Sequence, residues 1–96
     1  MTITDKDMDR YYLNRFNIYK KDYDRAFNYA NKNWFKLVQN ASTTHTKNPI
    51  PISSQIARAC HVPESVGAEI AQSISLSRGL WRKLNISTWQ ACNFLL

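Results

Sequence analysis

At 96 residues the chain has room for about one domain, and a chain this short buries only roughly 60–65% of the surface its unfolded form exposes, so a thin core is expected. Hydrophobic residues at 44%, aromatics at 12%, two glycines and three prolines exclude a disordered or low-complexity chain. Thirteen Lys and Arg against seven Asp and Glu, a formal net charge of +6, draw the chain toward nucleic acid or an acidic protein surface without choosing between them.

Met1-Thr2-Ile3-Thr4-Asp5 has neither a basic n-region nor an apolar h-region, and no stretch approaches the ~20 apolar residues of a membrane span. A cytosolic protein with no membrane partner is expected. From Asp5 to Ala41 apolar residues recur at Met8, Tyr12, Phe16, Tyr19, Tyr23, Phe27, Ala30, Trp34, Leu37 and Ala41, always three or four apart, which is helical spacing. Thr4 or Asp5 caps the start, and Asp5, Asp7 and Asp9 sit where the positive end of the helix dipole favours acid. As one piece this amphipathic helix would run about 55 Å, long for so small a domain. A helix broken near Asn14 to Asn17 is the alternative.

The segment 40–54, NASTTHTKNPIPISS, is polar, and Pro49 and Pro51 lack amide donors and push their predecessors extended. It reads as an internal linker loop. Ser53 or Ser54 is expected to cap a short helix through Cys60, Val62-Pro63 to turn the chain, and Glu64 to Lys83 to form a further helix with Val66, Ile70, Ile74 and Trp81 on one face. Gly79 can end or kink it. Ser87-Thr88-Trp89-Gln90 matches a capping box for a last short helix carrying Trp89, Phe94 and Leu95. The expected fold is all-α, one helical domain over 1–96, with a helix-turn-helix-like C-terminal bundle.

Catalysis has little to build on. Cys60 and Cys92 form no CxxC pair and find no further ligands at zinc spacing, so both read as reduced core thiols. Cys60 and His61 are sequence neighbours whose helical side chains diverge by about 100°, a poor nucleophile and base. No Gly-rich phosphate loop occurs, and Asp22 and Asp24 lie among cations as on a solvated helix face. A non-enzyme without cofactor or metal is expected.

Ser54 to Val66, SQIARACHVPESV, resembles the first half of a helix-turn-helix. His61 stands at the turn position that usually carries Gly because the backbone there needs positive φ. The helix that would read DNA, however, opens with Glu64, Ser65, Val66, Gly67, Ala68 and Glu69, where major-groove readers need Arg, Lys, Asn or Gln and carboxylates repel phosphate. The first helix interleaves Arg10, Arg15, Lys20, Lys21, Arg25, Lys32 and Lys36 with Tyr11, Tyr12, Tyr19, Tyr23, Tyr29 and Trp34. Such a composition suits single-stranded nucleic acid, and Tyr, Trp and Arg equally dominate protein-binding hot spots. The partner-binding candidates are Tyr12, Tyr19, Arg25 and Trp34, joined by Trp81 and Arg82 from a second apolar-basic segment that continues to Leu95 and Leu96.

Read as a whole, MTITDKDMDRYYLNRFNIYKKDYDRAFNYANKNWFKLVQ with NPIPISSQIARACHVPESVGAEIAQSISLSRGLWRKLN resembles the small anti-RecBCD proteins of Salmonella-type lambdoid phages over nearly its full length. That resemblance implies a phage protein in the host bacterial cytoplasm. It implies binding to the host exonuclease complex RecBCD, chiefly through RecC, with altered nuclease activity and Chi response that spares linear phage DNA for recombination. It carries no motif that assigns individual residues. The alternative from the residues is a small helix-turn-helix DNA-binding regulator, direct nucleic-acid contact being otherwise secondary or absent. The exposed dipeptide bonds before Pro49 and Pro51 add a host prolyl isomerase of the cyclophilin type as an expected partner, since X-Pro bonds in polar connectors exchange isomers slowly.

Overall fold

The structure, a computed structural model, describes residues 2–84, with side chains through residue 79. Five helices follow one another, α1 Asp5–Phe16, α2 Lys20–Lys32, α3 Trp34–Asn40, α4 Ile52–Cys60 and α5 Glu64–Leu84, and among the described residues there is no strand. The expected last helix with Trp89, Phe94, Leu95 and Leu96, and the thiol of Cys92, lie outside the described residues, as do the side chains of Trp81 and Arg82.

The start of α1 follows its sequence closely. Thr4 is an extended N-cap whose hydroxyl accepts from the Asp7 amide, while the Asp7 carboxylate accepts from the Thr4 amide, each at 3.2 Å. This reciprocal box satisfies two amides that helix geometry leaves without partners.

The long first helix is instead three. Asn17 takes a left-handed conformation at φ 61° and ψ 32°, its N–H closing on Leu13 O at 3.0 Å. Asn tolerates that region better than most residues, and the turn it makes ends the helix. Tyr19, the N-cap of α2, offers no side-chain cap. Asp9 supplies the missing acceptor from α1, taking the Lys20 amide at 3.2 Å. The break also swings Ile18, off the helical apolar row, against the core. A second interruption falls at Asn33, whose side-chain amide donates to Tyr29 O at 2.8 Å alongside its own backbone N–H at 3.0 Å. Leu37 N–H still reaches Asn33 O at 3.0 Å, so the ladder is disturbed at one residue without reversing the chain.

The loop closes at Pro51, and α4 begins at Ile52, so Ser53 and Ser54 are inside the helix and cap nothing. Proline's fixed φ and absent donor suit this entry position. Ser54 Oγ donates to Glu64 Oε1 at 2.6 Å instead. Gln55 ties the loop down from both sides, its amide donating to Leu37 O at 2.9 Å and to Ile50 O at 2.8 Å. No cis peptide occurs among the described residues, so Pro49 and Pro51 follow trans bonds. His61 carries the positive φ its place in the turn demands, φ 55° and ψ 48°.

The core is a single seam of Ala26, Ala30, Trp34, Leu37, Ile56, Cys60, Val62, Val66, Ile70 and Ile74. It runs between the inner faces of α2 and α3 and the α4–α5 pair. No residue of α1 is fully buried. It is held by a run of rings in which Tyr12 lies 5.4 Å from Phe16 and 5.1 Å from Tyr23, Phe16 lies 4.8 Å from Tyr23, and Tyr23 lies 6.4 Å from Phe27. Burial pushes the Tyr23 phenol above its ordinary pKa. The described residues span 48 × 36 × 17 Å.

Two outcomes follow from this packing. A Cβ on Gly67 would stand 2.3 Å from the Ser53 carbonyl oxygen, while one on Gly79 meets nothing within 4 Å. Gly67→Ala is expected to cost roughly 1–3 kcal/mol through forced separation of α4 and α5, and Gly79→Ala to be neutral or to stabilise by up to about 1 kcal/mol through helix propensity. Urea unfolding of both variants, read by far-UV circular dichroism, checks the contrast. At the other end, hydrogen bonds from the Thr4 amide and hydroxyl hold the Asp7 carboxyl below its ordinary pKa. A depressed folded-state pKa makes this contribution fully present above the ordinary carboxylate range and lost as pH falls through the folded value. Protection of the first-turn amides of α1, their exchange taken relative to an intrinsic rate that itself slows on acidification, should therefore fall as pH falls through the folded value, and Asp7→Asn should flatten the response.

Candidate interaction surface

Helix α2 sorts its side chains cleanly. Tyr23, Ala26, Phe27 and Ala30 turn inward, whereas Lys21, Arg25, Asn28 and Lys32, spaced i, i+4, i+7 and i+11, are all exposed. At 100° per residue these four lie on one stripe. Beyond Asn33 the exposed run continues in α3 with Phe35, Lys36, Val38 and Gln39. Phe35 is 76% exposed, more than any other large apolar side chain among the described residues.

The sequence candidates separate on this frame. Tyr19, 50% exposed, stands at the α1–α2 junction with Lys21 Nζ 5.9 Å from its ring centre. It borders a groove lined by Lys6, Asp9, Arg10, Leu13 and Asn14. Arg25 is exposed on the stripe, its guanidinium 3.5 Å from Asp22. These two are available to a partner. Tyr12 is half-buried in the ring cluster that holds α1, so its first role is structural. Trp34 is a correction: only 8% exposed, it sits in the core, four residues after the buried Ala30 and three before the buried Leu37 on one helical row, with the Arg78 guanidinium 5.8 Å from its ring. Arg78 Nη2 also donates to Asn31 O and Asn31 Oδ1, both at 3.1 Å, pinning α5 to the end of α2. The loop candidates Pro49 and Pro51 are exposed.

A feature that spacing rules passed over is the segregation of charge. From Arg25 through Pro63 no Asp or Glu occurs, while Arg25, Lys32, Lys36, Lys47 and Arg58 all do. The signal was open to counting acids alone along the chain.

On α5, the outward positions of the first turns are Glu64, Ser65, Ala68 and Gln72, and Glu64 is engaged by Ser54. The turn geometry of a helix-turn-helix is present, but this helix offers phosphate and base edges no cation before Arg78, which is already folded onto Trp34. Cys60 is buried, burial pushing its thiol above the ordinary pKa, and the adjacent His61 is exposed. Among the described residues no three His, Cys, Asp or Glu side chains gather as a metal site, and no helix is long and apolar enough to cross a membrane.

Tyr19→Ala is expected to leave stability within about 0.5 kcal/mol, as for a surface change away from caps and core, whereas Trp34→Ala should cost about 3–5 kcal/mol. Thermal unfolding of the two variants separates a surface residue from a core one before any binding assay is interpreted.

No protein family, curated protein or solved structure matches the chain.

Proposed function

We propose that this chain is a phage-encoded docking protein that binds the host RecBCD complex, chiefly through RecC, and alters its nuclease activity and Chi response without catalysing a reaction itself. The identity of the partner rests on the sequence resemblance to the anti-RecBCD proteins. The observation that carries a docking role is the exposed aromatic and cationic rim at the α1–α2 junction, where Arg10 and Leu13 line a groove with Tyr19 and Lys21 lies over the Tyr19 ring. Large apolar surface beside Arg and Lys is the composition of a protein hot spot. The exposed Asn48-Pro49-Ile50-Pro51 loop suits a cyclophilin-type isomerase as an accessory partner.

The regulator reading is weaker, because the first turns of α5 face outward with carboxylates where a DNA reader needs cations. Salt separates the two. Phosphate binding collapses steeply with ionic strength, while an interface anchored by aromatic side chains should hold RecBCD at about 0.3 M salt with sub-micromolar affinity. Tyr19→Ala is expected to weaken capture of purified RecBCD by about thirtyfold, or about 2 kcal/mol, and Glu64→Ala with Glu69→Ala to leave it unchanged. Retention of duplex DNA but not of RecBCD at that salt would instead support the regulator.

A further inference from the structure

Lys32, Phe35 and Lys36 are exposed, and they lie at the far end of α2–α3 from the α1–α2 rim. With about 1.5 Å of rise per residue, the thirteen residues of α2 put roughly 18 Å between the two ends. Arg25 and Lys32 share one face of α2 across about two turns, and Lys36 follows four residues later. The ion pairs seen among the described residues are Lys20 with Asp24 and Arg25 with Asp22, so neither Lys32 nor Lys36 takes part in one. The chain from Arg25 through Pro63 contains no carboxylate. Between these two lysines stands the ring of Phe35, 76% exposed.

We propose that the α2–α3 ridge of Arg25, Lys32, Phe35 and Lys36 binds single-stranded DNA, the three cations following the phosphates and the Phe35 ring stacking on a base. The charge pattern fits a polyanion, because Lys32 and Lys36 take part in no ion pair among the described residues and Arg25 meets an acid, Asp22 at 3.5 Å, only at the edge of the row, which leaves a positive field along the ridge. The ring selects the single strand. A duplex keeps its bases stacked and offers this convex ridge only phosphates, leaving Phe35 in water, whereas an unpaired strand presents a π-face at every base and accepts an aromatic platform between cations. The asparagines and glutamine around the ridge, Asn28, Gln39 and Asn40, are exposed and add donors for phosphate and sugar oxygens without opposing charge. This surface goes beyond the RecBCD proposal and uses different residues from the α1–α2 rim.

The test is fluorescence anisotropy of the full chain against a labelled oligothymidylate, its duplex with oligoadenylate, and polyglutamate as competitor, between about 50 and 200 mM salt. The native protein should prefer the single strand over the duplex. Lys32→Gln with Lys36→Gln should weaken binding at least about tenfold and reduce the slope of log affinity against log salt by about 1.4, two phosphates' worth for a single strand. Phe35→Ala should weaken it about fivefold or more, with the salt slope unchanged. Lys6→Gln with Arg10→Gln, on α1, is the control and should leave the ridge's contribution intact. Circular dichroism confirms that these surface variants stay folded. No binding, equal binding of duplex with a neutral Phe35→Ala, or polyglutamate displacing the strand at equal charge concentration overturns the proposal, the last assigning the ridge to an acidic protein. Capture of RecBCD by the same variants is scored separately, so loss of one interaction does not count against the other.

Discussion

At Gly67 the backbone of α5 passes so near the Ser53 carbonyl of α4 that no side chain fits between them, a Cβ there falling 2.3 Å from the oxygen. That approach brings Ile56 and Cys60 of α4 against Val66, Ile70 and Ile74 of α5, with Val62 of the turn tucked beneath. Ile56 and Ile70 are fully buried. The pair forms the floor on which α2 lays Ala26 and Ala30. Small residues at those positions are a further expression of the constraint, since helices separated by alanine can come close enough to exclude water, and dispersion gains fall quickly with any gap. Remove the close approach and the seam has no second wall.

The rest of the molecule is added to that pair by progressively lighter attachments. Helix α3 is held through Trp34 and Leu37, and the following loop through the two hydrogen bonds of a single Gln55 amide. Helix α1 is held by rings and by Asp9 acting as a cap for α2. Attachments of this kind place α1 at the low-stability end of the fold, where elements that meet partners are commonly drawn from. The same geometry explains why α1 and the outer stripe of α2 remain open. Among the described residues each helix buries the side it turns toward the seam, and no further helix lies against the outer stripe of α2.

Much of this was legible in the residues. The three-to-four spacing from Met8 to Ala41 announced helix throughout, Thr4 or Asp5 with the acids that follow announced its start, though not the reciprocal pairing of Thr4 with Asp7, and the turn at His61 followed from its place after a short apolar helix. The breaks were harder. Periodicity is blind to a single left-handed residue, because the apolar row resumes at Tyr19 and Tyr23 with almost no phase error. Asn14 to Asn17 marked the first break only as an alternative, and nothing in the spacing marks Asn33, whose effect comes from its side chain competing for Tyr29 O. Trp34 went the wrong way because its type was weighed above its spacing: the row Ala26, Ala30, Trp34 and Leu37 already put this hot-spot type on the buried face. Ser53 and Ser54 were good capping types in the wrong place, since Pro51 can open a helix without a cap. Arg25 kept the exposure expected of it because it sits on the solvent half of α2, which periodicity does determine, whereas Tyr19 belongs to the apolar row by spacing and is exposed where the break at Asn17 leaves it as the N-cap of α2.

The division of charge completes the picture and ties fold to surface. Five of the carboxylates have local structural work: Asp7 closes the capping box, Asp9 caps α2, Asp24 and Asp22 pair with Lys20 and Arg25, and Glu64 accepts from Ser54. Each stands in or beside the opening turns of α1, α2 or α5, where the helix dipole also favours a negative charge. Helices α3 and α4 have no acidic residue in their first turns. Acid therefore gathers near helix starts and on α2 compensates Lys20 and Arg25, whereas Lys32, Lys36 and Arg58 take part in no ion pair among the described residues. Their mutual repulsion costs something in the isolated molecule. Lys32 and Lys36 add positive potential beside one another on the outer face of α2–α3, where signs are not interspersed as they are at the start of α2.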